Sequence, residues 1–595
     1  MNKYYLILIG CLLLLNACTN KSENSIPDSP NIILIITDDQ GYGDFGFYGN
    51  PHVRTPFLDS LARMSTRFNQ FYVCPVCAPT RAGLMTGRYA LHTGVYDTYN
   101  GGAIMHADEV TLAEILKDAG YVTGIFGKWH LGDSYPFRPG DQGFKTSLVH
   151  RAGGIGQPGD HFGNFTRPDS SYFNPVLLRD GKEINTKGFC SDVFTRAAIE
   201  FIEEHCSDEV DQPFFLYLAY NAPHTPLQLP GEYLEMYKDI NISSGDYPDR
   251  GRFPDMNAKD IEDARRVYGM VTNIDDNLQL LFNKLTELEM IERTLIVFLT
   301  DNGPQQRRYT AGFRERKGSV YEGGIRVPSF WYWKGNLTGN FEINDPAANI
   351  DVLPTILDLC GIDLPTGLDL DGRSLAALLR GEVSSLPERT LFFEWQRGFT
   401  EPYRNIAVRK GDYKMVGNIE YPEDPAGLEL YHISDDPYEL NDISKENTEM
   451  IHTLKSEFDR WYSEVIANEK LVTPPRIIIG SDNENPVILN RNDWKGAKAK
   501  QWGSADAYGY WDVTFAADGL YNVKLQFADH FSREGRIFIR AGTVRRSLVN
   551  QDTTTNRLLL PDVPFREGDY MLEAWYDSWG KVYTPMYVEI EKSSE

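Results

Sequence analysis

The chain has 595 residues, of which 42% are hydrophobic and 24% charged. That length implies two or more domains with sizeable cores. The formal net charge of -25 argues against nucleic acid as a partner and against a broad polyanion-binding surface, so an anionic substrate would have to meet positive charge that is local.

In chain order, the first feature is a targeting segment. Lys3 precedes an apolar run over 4–15, too short to span a bilayer as a stable helix and suited to a signal peptide over 1–17. The ending Leu15-Asn16-Ala17-Cys18 resembles a bacterial lipobox, in which Cys18 becomes the lipidated first residue. Asn16 is not the commonest residue there, so plain secretory cleavage is the alternative. Either route predicts an exported protein, in the periplasm or as an outer-membrane lipoprotein of a Gram-negative bacterium, touching the membrane by a lipid anchor only. The polar stretch 19–30 reads as a tether.

Four apolar runs follow, at 32–36, 121–126, 214–219 and 295–299, and read as buried strands of a parallel sheet. Helical patterns separate them at 111–119, 191–205 and 258–288. In the last, Val267, Met270, Val271, Ile274, Leu278, Leu281 and Leu285 recur at helical spacing. The alternation predicts an α/β domain over 31–364, with a mainly parallel central sheet flanked by helices. Over 365–472 the pattern changes. Short antiparallel strands at 404–416 and 428–433 and a closing helix at 447–466 predict a smaller α+β subdomain. Thr473-Pro474-Pro475 reads as a linker. Beyond it, 476–595 shows strand alternation such as Tyr521, Val523, Leu525 and Phe527, which predicts an all-β, sandwich-like domain.

Ligands of such sheets bind beyond the carboxyl ends of the strands. Here those ends lead into Asp38-Asp39, Gly127-Lys128-Trp129-His130, Asn221-Ala222-Pro223-His224 and Thr300-Asp301-Asn302-Gly303. Any one of them is compatible with polar capping of a strand; the convergence of all four predicts an active site. Asp38, Asp39, Asp301 and Asn302 offer hard oxygen ligands, suited to calcium or magnesium. Lys128, His130, His224 and Arg81 add donors suited to an oxyanion, and Lys317 sits in a glycine-rich loop able to reach the site. The stretch Cys77-Ala78-Pro79-Thr80-Arg81 begins a short helical pattern that Gly87 can end. It places Cys77 at a helix N-terminus, which favours an anion, with Arg81 one turn on. Its rivals are a buried structural thiol and a redox pair, since Cys74-Pro75-Val76-Cys77 has CxxC spacing. Cys190 and Cys206 are read as free buried thiols, with a disulfide as the alternative.

These motifs together resemble the type I sulfatases of the alkaline-phosphatase-like superfamily. The resemblance rests on Cys77 to Arg88, Asp38-Asp39, the Lys128 and His130 segment, Pro223-His224, Thr300 to Gly303, the Lys317 loop, and the stretches 351–359 and 430–442. It covers residues 31–470. It implies hydrolysis of a sulfate ester on a carbohydrate, after a maturation enzyme has oxidised Cys77 to Cα-formylglycine, whose hydrate is the nucleophile. One calcium ion would be held by Asp38, Asp39, Asp301, Asn302 and the modified Cys77. Arg81 and Lys128 would stabilise the hydrate, and Lys128 and Lys317 would grip sulfate. His224 would protonate the leaving oxygen, and His130 would remove the proton that lets sulfate depart. The alternatives are a phosphoesterase or phosphonoesterase of the same superfamily, or an unmatured glycan-binding lipoprotein without catalysis.

Matching is weaker over 145–187, a glycine-rich insertion holding His150, Arg151, Asp160 and His161. It reads either as a substrate-selecting segment, with His150 and Arg151 as its candidate contacts, or as a solvated loop. Trp395 and Arg397 are candidate pocket residues, although packing within the subdomain is the preferred reading. Trp494, Trp502, Trp511, Trp575 and Trp579 in the β domain either stack on sugars or, as preferred, pack its core or an interface.

Overall fold

The computed structural model describes residues 29–205, 212–419, 427–504 and 506–593; the expected signal segment, Cys18 and Cys206 lie outside them. Four parallel strands carry the chemistry: β1 (Asn31–Thr37), β2 (Val122–Gly127), β3 (Phe214–Ala219) and β4 (Thr294–Thr300). Their side-by-side order is β4, β1, β3, β2. Every residue of the four is buried, so each reads as an unbroken apolar run rather than an alternating one. Alternate residues feed opposite faces. Ile32, Leu34 and Ile36 join one core with Leu84, Met85 and Leu116, whereas Ile33 and Ile35 join the other with Phe194, Ile274 and Leu278.

The sheet extends to ten strands and is mixed at its rims. Thr146–Val149 adds parallel to β2, followed by an antiparallel hairpin of Val176–Arg179 and Lys182–Asn185. On the other side Ser329–Tyr332 runs antiparallel to β4. Three helices matter for the site: α1 (Cys77–Thr86), α2 (Cys190–Glu204) and α3 (Ala258–Glu287). The first covers one face, and the other two cover the second.

Thr390–Glu394, Ile406–Lys410, Tyr413–Gly417 and Leu428–His432 form a four-stranded antiparallel sheet, and helix Thr448–Ile466 packs against it. From Ile477 onward two antiparallel-rich sheets face each other over one apolar core. Trp494 and Trp511 lie fully in that core, but Trp579 is 78% exposed, so packing does not account for all five tryptophans. Ile104 and Phe137, from the α/β part of the chain, belong to the same core cluster. No helix among the described residues is long and apolar enough to cross a membrane.

Candidate active site

The four strand ends meet at the N-terminus of α1. Val76 precedes that helix with extended backbone and offers no side-chain cap, so the first N–H groups remain for a ligand. Pro79 sits in the first turn, and Gly87 closes the helix with a left-handed φ of 69°. The whole helix is buried, which fixes Cys77 and Arg81 on one rigid element.

Gly127 at the end of β2 sets the next position. Its φ is 121°, and a Cβ there would lie 1.8 Å from the Ala219 carbonyl oxygen of β3. Only glycine lets the chain turn so closely and deliver Lys128. Asp39 and His130 also hold left-handed backbone, at φ 66° and 63°, which is unusual for residues with a side chain.

The charges interlock. Lys128 Nζ lies 2.5 Å from Asp38 Oδ2, and Lys317 Nζ bonds Asp39 Oδ1. Arg81 Nη2 bonds Asp301 Oδ2 at 2.9 Å, while its Nη1 donates to the Lys128 carbonyl at 3.0 Å. Asn302 Nδ2 donates to Asp39 Oδ1 at 2.8 Å. The Asp38 carboxyl sits well below the usual range: burial resists its ionisation, but Lys128, His224 and Arg81 outweigh that. Burial and the Asp38 charge push Asp301 up to about 7, against the pull of Arg81.

Three buried oxygens here have no hydrogen-bond partner: Asp38 Oδ1, Asp39 Oδ2 and Asn302 Oδ1. Orphaned acceptors of this kind are costly unless something positive meets them. Oxygen donors from Asp38 and Asp301 and the Cys77 sulfur lie within 4.8 Å of one another, as do donors from Asp38, Asp39 and His224. The donor set fits a hard divalent cation.

Two histidines enter the site, one at Cys77 and one at Asp39. His130 Nδ1 is 3.5 Å from the sulfur. His224 Nε2 is 3.8 Å from Asp39 Oδ2, and its Nδ1 is 2.7 Å from the Thr225 carbonyl. Burial lowers the pKa of both, Lys128 adding to the effect at His130 and Asp38 opposing it at His224. Burial also raises the Cys77 thiol, with Lys128 and Lys317 pulling the other way, so the unmodified side chain is protonated. Cys74 is pushed up to about 12 by burial, and both cysteines are free thiols.

The structure brings Cys77, Arg81, Lys128, His130, His224, Lys317, Asp38, Asp39, Asp301 and Asn302 into one locus. The weaker candidates lie around it. His150 is 2% exposed, bonds the Arg151 carbonyl through Nδ1, and leaves Nε2 unpartnered. With Arg151 it lines a neighbouring cavity of about 190 Å³. Residues 150–155 of this segment are buried, and a Cβ on Gly153 would lie 2.7 Å from the His130 ring. Arg397 does not stay within its subdomain; its Nη1 bonds Asp97 at 2.7 Å and Thr98 Oγ1 at 2.9 Å.

Sequence reasoning missed three supports. Arg308 donates to the Asp39 carbonyl at 2.7 Å and is clamped by the buried Asp44. Tyr172 donates its hydroxyl to the His224 carbonyl at 2.8 Å. Thr98 offers its carbonyl to His130 Nε2 at 2.8 Å. Asp44 follows Asp39 by five residues in a charged turn, the only one of these with a visible signal.

A model of the sulfatase family matches residues 30–362, and one described as N-sulphoglucosamine sulphohydrolase, C-terminal, matches 312–464. Neither reaches the β sandwich. Arylsulfatase A of Homo sapiens is 34% identical over 412 residues, which span 65% of this chain and 74% of that protein. N-acetylgalactosamine-6-sulfatase of Sus scrofa is 28% identical over 75% of this chain and 87% of its own. Among solved structures, that of Ps i-CgsB in complex with k-i-k-neocarrahexaose superposes with a TM-score of 0.63 at 29% identity, covering 74% of this chain and 94% of that one.

Proposed function

The chain belongs to the sulfatase family and is a sulfuric ester hydrolase, and from that premise we propose that it removes sulfate from a glycan using a formylglycine made from Cys77 and one calcium ion. The observation that carries this reading is the set of orphaned buried oxygens on Asp38, Asp39 and Asn302 beside the Cys77 sulfur. Asp38, Asp39, Asp301 and Asn302 would hold the ion, and it would supply Lewis-acid charge for sulfate and for the group at position 77. That group, as an aldehyde hydrate, supplies a nucleophilic oxygen and a second hydroxyl. A protonated, buried thiol is a poor nucleophile, which favours the modified residue over the unmodified one.

The chain's own residues do the rest. Arg81, one helical turn from position 77, orients the nucleophile. Lys128 and Lys317 bind sulfate oxygens as charge moves onto them. His224, its Nδ1–H held by the Thr225 carbonyl, would donate from Nε2 as the imidazolium, the form that the Asp38 and Asp39 charges favour against burial, to the departing sugar oxygen. His130 accepts a proton at Nδ1. Both candidate cation clusters among the described residues share Asp38, so they lie in one locus.

A carbohydrate substrate is supported by the N-acetylgalactosamine-6-sulfatase relatives and by the neighbour solved in complex with k-i-k-neocarrahexaose. Export with lipidation at Cys18 would place the enzyme where such glycans arrive. The test is co-expression with a formylglycine-generating enzyme, followed by mass spectrometry of the peptide carrying residue 77 and turnover of an aryl sulfate. An aldehyde with turnover is expected. Unmodified Cys77 in an active preparation would sink the mechanism.

A further inference from the structure

A row of aromatic and cationic side chains bridges the Lys317 and His130 loops, and the β sandwich completes it. Trp395 packs on Gly318, the neighbour of Lys317; a Cβ there would lie 3.0 Å from the indole. The Arg397 guanidinium lies 4.7 Å from the Trp395 ring and 4.6 Å from the Tyr99 ring. Tyr99 meets Trp502 of the sandwich with ring centres 5.0 Å apart, and its hydroxyl donates to the Lys500 carbonyl at 3.0 Å. The row touches the catalytic set again through Thr98, which bonds both Arg397 and His130.

This row is held from below and open above. The Asp97 carboxylate, 1% exposed, pins Arg397, whose own side chain is 43% exposed. Both protein bonds of that guanidinium run through Nη1, leaving its other nitrogens for a ligand. Trp395 and Trp502 are half-buried and Lys500 is exposed. Arg397 meets its one carboxylate, Asp97, through a single nitrogen, and the Lys500 ammonium lies beside the next residue, 3.1 Å from where a Cβ on Gly398 would stand, so two cations gather next to the partly open Trp395 and Trp502 rings.

We propose that Trp502 and Lys500, with Trp395 and Arg397, form a subsite for the sugar adjoining the sulfated one, and that this second sugar carries an acidic substituent. Indole faces suit the apolar face of a pyranose, and the guanidinium and ammonium suit a carboxylate or sulfate on its rim. The inference rests on the reading that the Cys77 site acts on a sulfated glycan. The sandwich is then part of the substrate site.

The test measures binding to the full-length Cys77→Ala protein by calorimetry, so it does not depend on turnover. The probes are sulfated disaccharides with a uronate or sulfate on the second sugar, each paired with its sulfated monosaccharide. At least one disaccharide should bind tenfold or more tightly than its monosaccharide. Trp502→Ala and Lys500→Ala should each remove most of that advantage, while Trp579→Ala, on an exposed part of the sandwich, should preserve it. The proposal is overturned if no disaccharide gains over its monosaccharide, if the gain survives both substitutions, or if both ligands weaken equally. Failure of the glycan reading shows separately, as a matured wild-type enzyme that turns over an aryl sulfate but none of the sugars.

Discussion

His130 Nδ1 stands 3.5 Å from the Cys77 sulfur, while the opposite ring nitrogen lies 2.8 Å from the Thr98 carbonyl oxygen. A carbonyl can only accept, so Nε2 carries the hydrogen and the neutral ring turns a lone pair toward residue 77. Burial, helped by Lys128, keeps the ring neutral well below the ordinary histidine range. His130 is therefore a base before substrate arrives. His130→Ala should release about one equivalent of phenol from an aryl sulfate in a burst, then turn over about 100-fold more slowly than wild type. Stopped-flow absorbance checks this; a uniformly slow reaction without a burst would remove His130 from the second half of the cycle.

His224 should matter in proportion to how badly the leaving group needs a proton. His224→Ala is expected to lose about 10²–10⁴-fold in kcat on a sugar sulfate. On a nitrophenyl sulfate, whose phenolate leaves unaided, the loss should be much smaller. Equal losses on the two substrates would refute the acid role.

The orphaned oxygens predict a thermal response to calcium. An ion that binds only the folded chain adds about 2.7 kcal/mol at a hundredfold excess over its Kd. Calcium should raise Tm after chelator treatment, and Asp39→Asn, which removes one of those oxygens' charges, should shrink the shift. Differential scanning calorimetry with and without chelator reads it directly.

Arg308 and Asp44 form a buried pair with bonds of 2.8 and 2.7 Å, and Arg308 also holds the Asp39 carbonyl. Arg308→Met leaves Asp44 uncompensated and should cost about 3–5 kcal/mol. Adding Asp44→Leu should recover much of the stability by chemical denaturation. Activity should stay low in the double variant, because the Asp39 carbonyl then loses its Arg308 bond while the carboxylate keeps Lys317 and Asn302.

Asp493 in the sandwich is pushed up to about 7 by burial, with the Asp133 charge adding to it. A carboxyl raised in the folded state binds more protons there than when unfolded. Its stabilising contribution is therefore complete below the unfolded value near 4 and is lost as pH rises through about 7. Asp493→Asn should be more stable than wild type at pH 8 by about 1–2 kcal/mol and little different at pH 4. A constant difference across pH would show that Asp493 titrates alike in the folded and unfolded chain, without the upward shift.

The four strands and their acidic ends were legible because each is a continuous buried run followed at once by its polar residues, as in Asn31–Thr37 and Asp38. The same locality made α1 and Gly87 readable. What escaped depends on distant closure. Asp44 and Arg308 are 264 residues apart, and Arg397 lies 300 from Asp97. Neither pairing leaves a periodic trace. Thr66–Phe68 and Thr390–Glu394 were missed because three to five residues are too few to show alternation. The preferred reading of Trp502, core or interface, left its partner unnamed, because Tyr99 comes from another part of the chain.

Ile104 and Phe137 lie within the apolar core of the sandwich. Around them, Asn490 reaches Asp133, Gly101 N–H reaches the Asn492 carbonyl, and the Tyr587 hydroxyl reaches the Asp160 carbonyl. The covalent join at 473–475 is therefore the least of what unites the two parts. A cut there should yield two fragments that still migrate together. A gene ending at residue 472 would leave Ile104 and Phe137 facing water, and would expose an apolar patch prone to association.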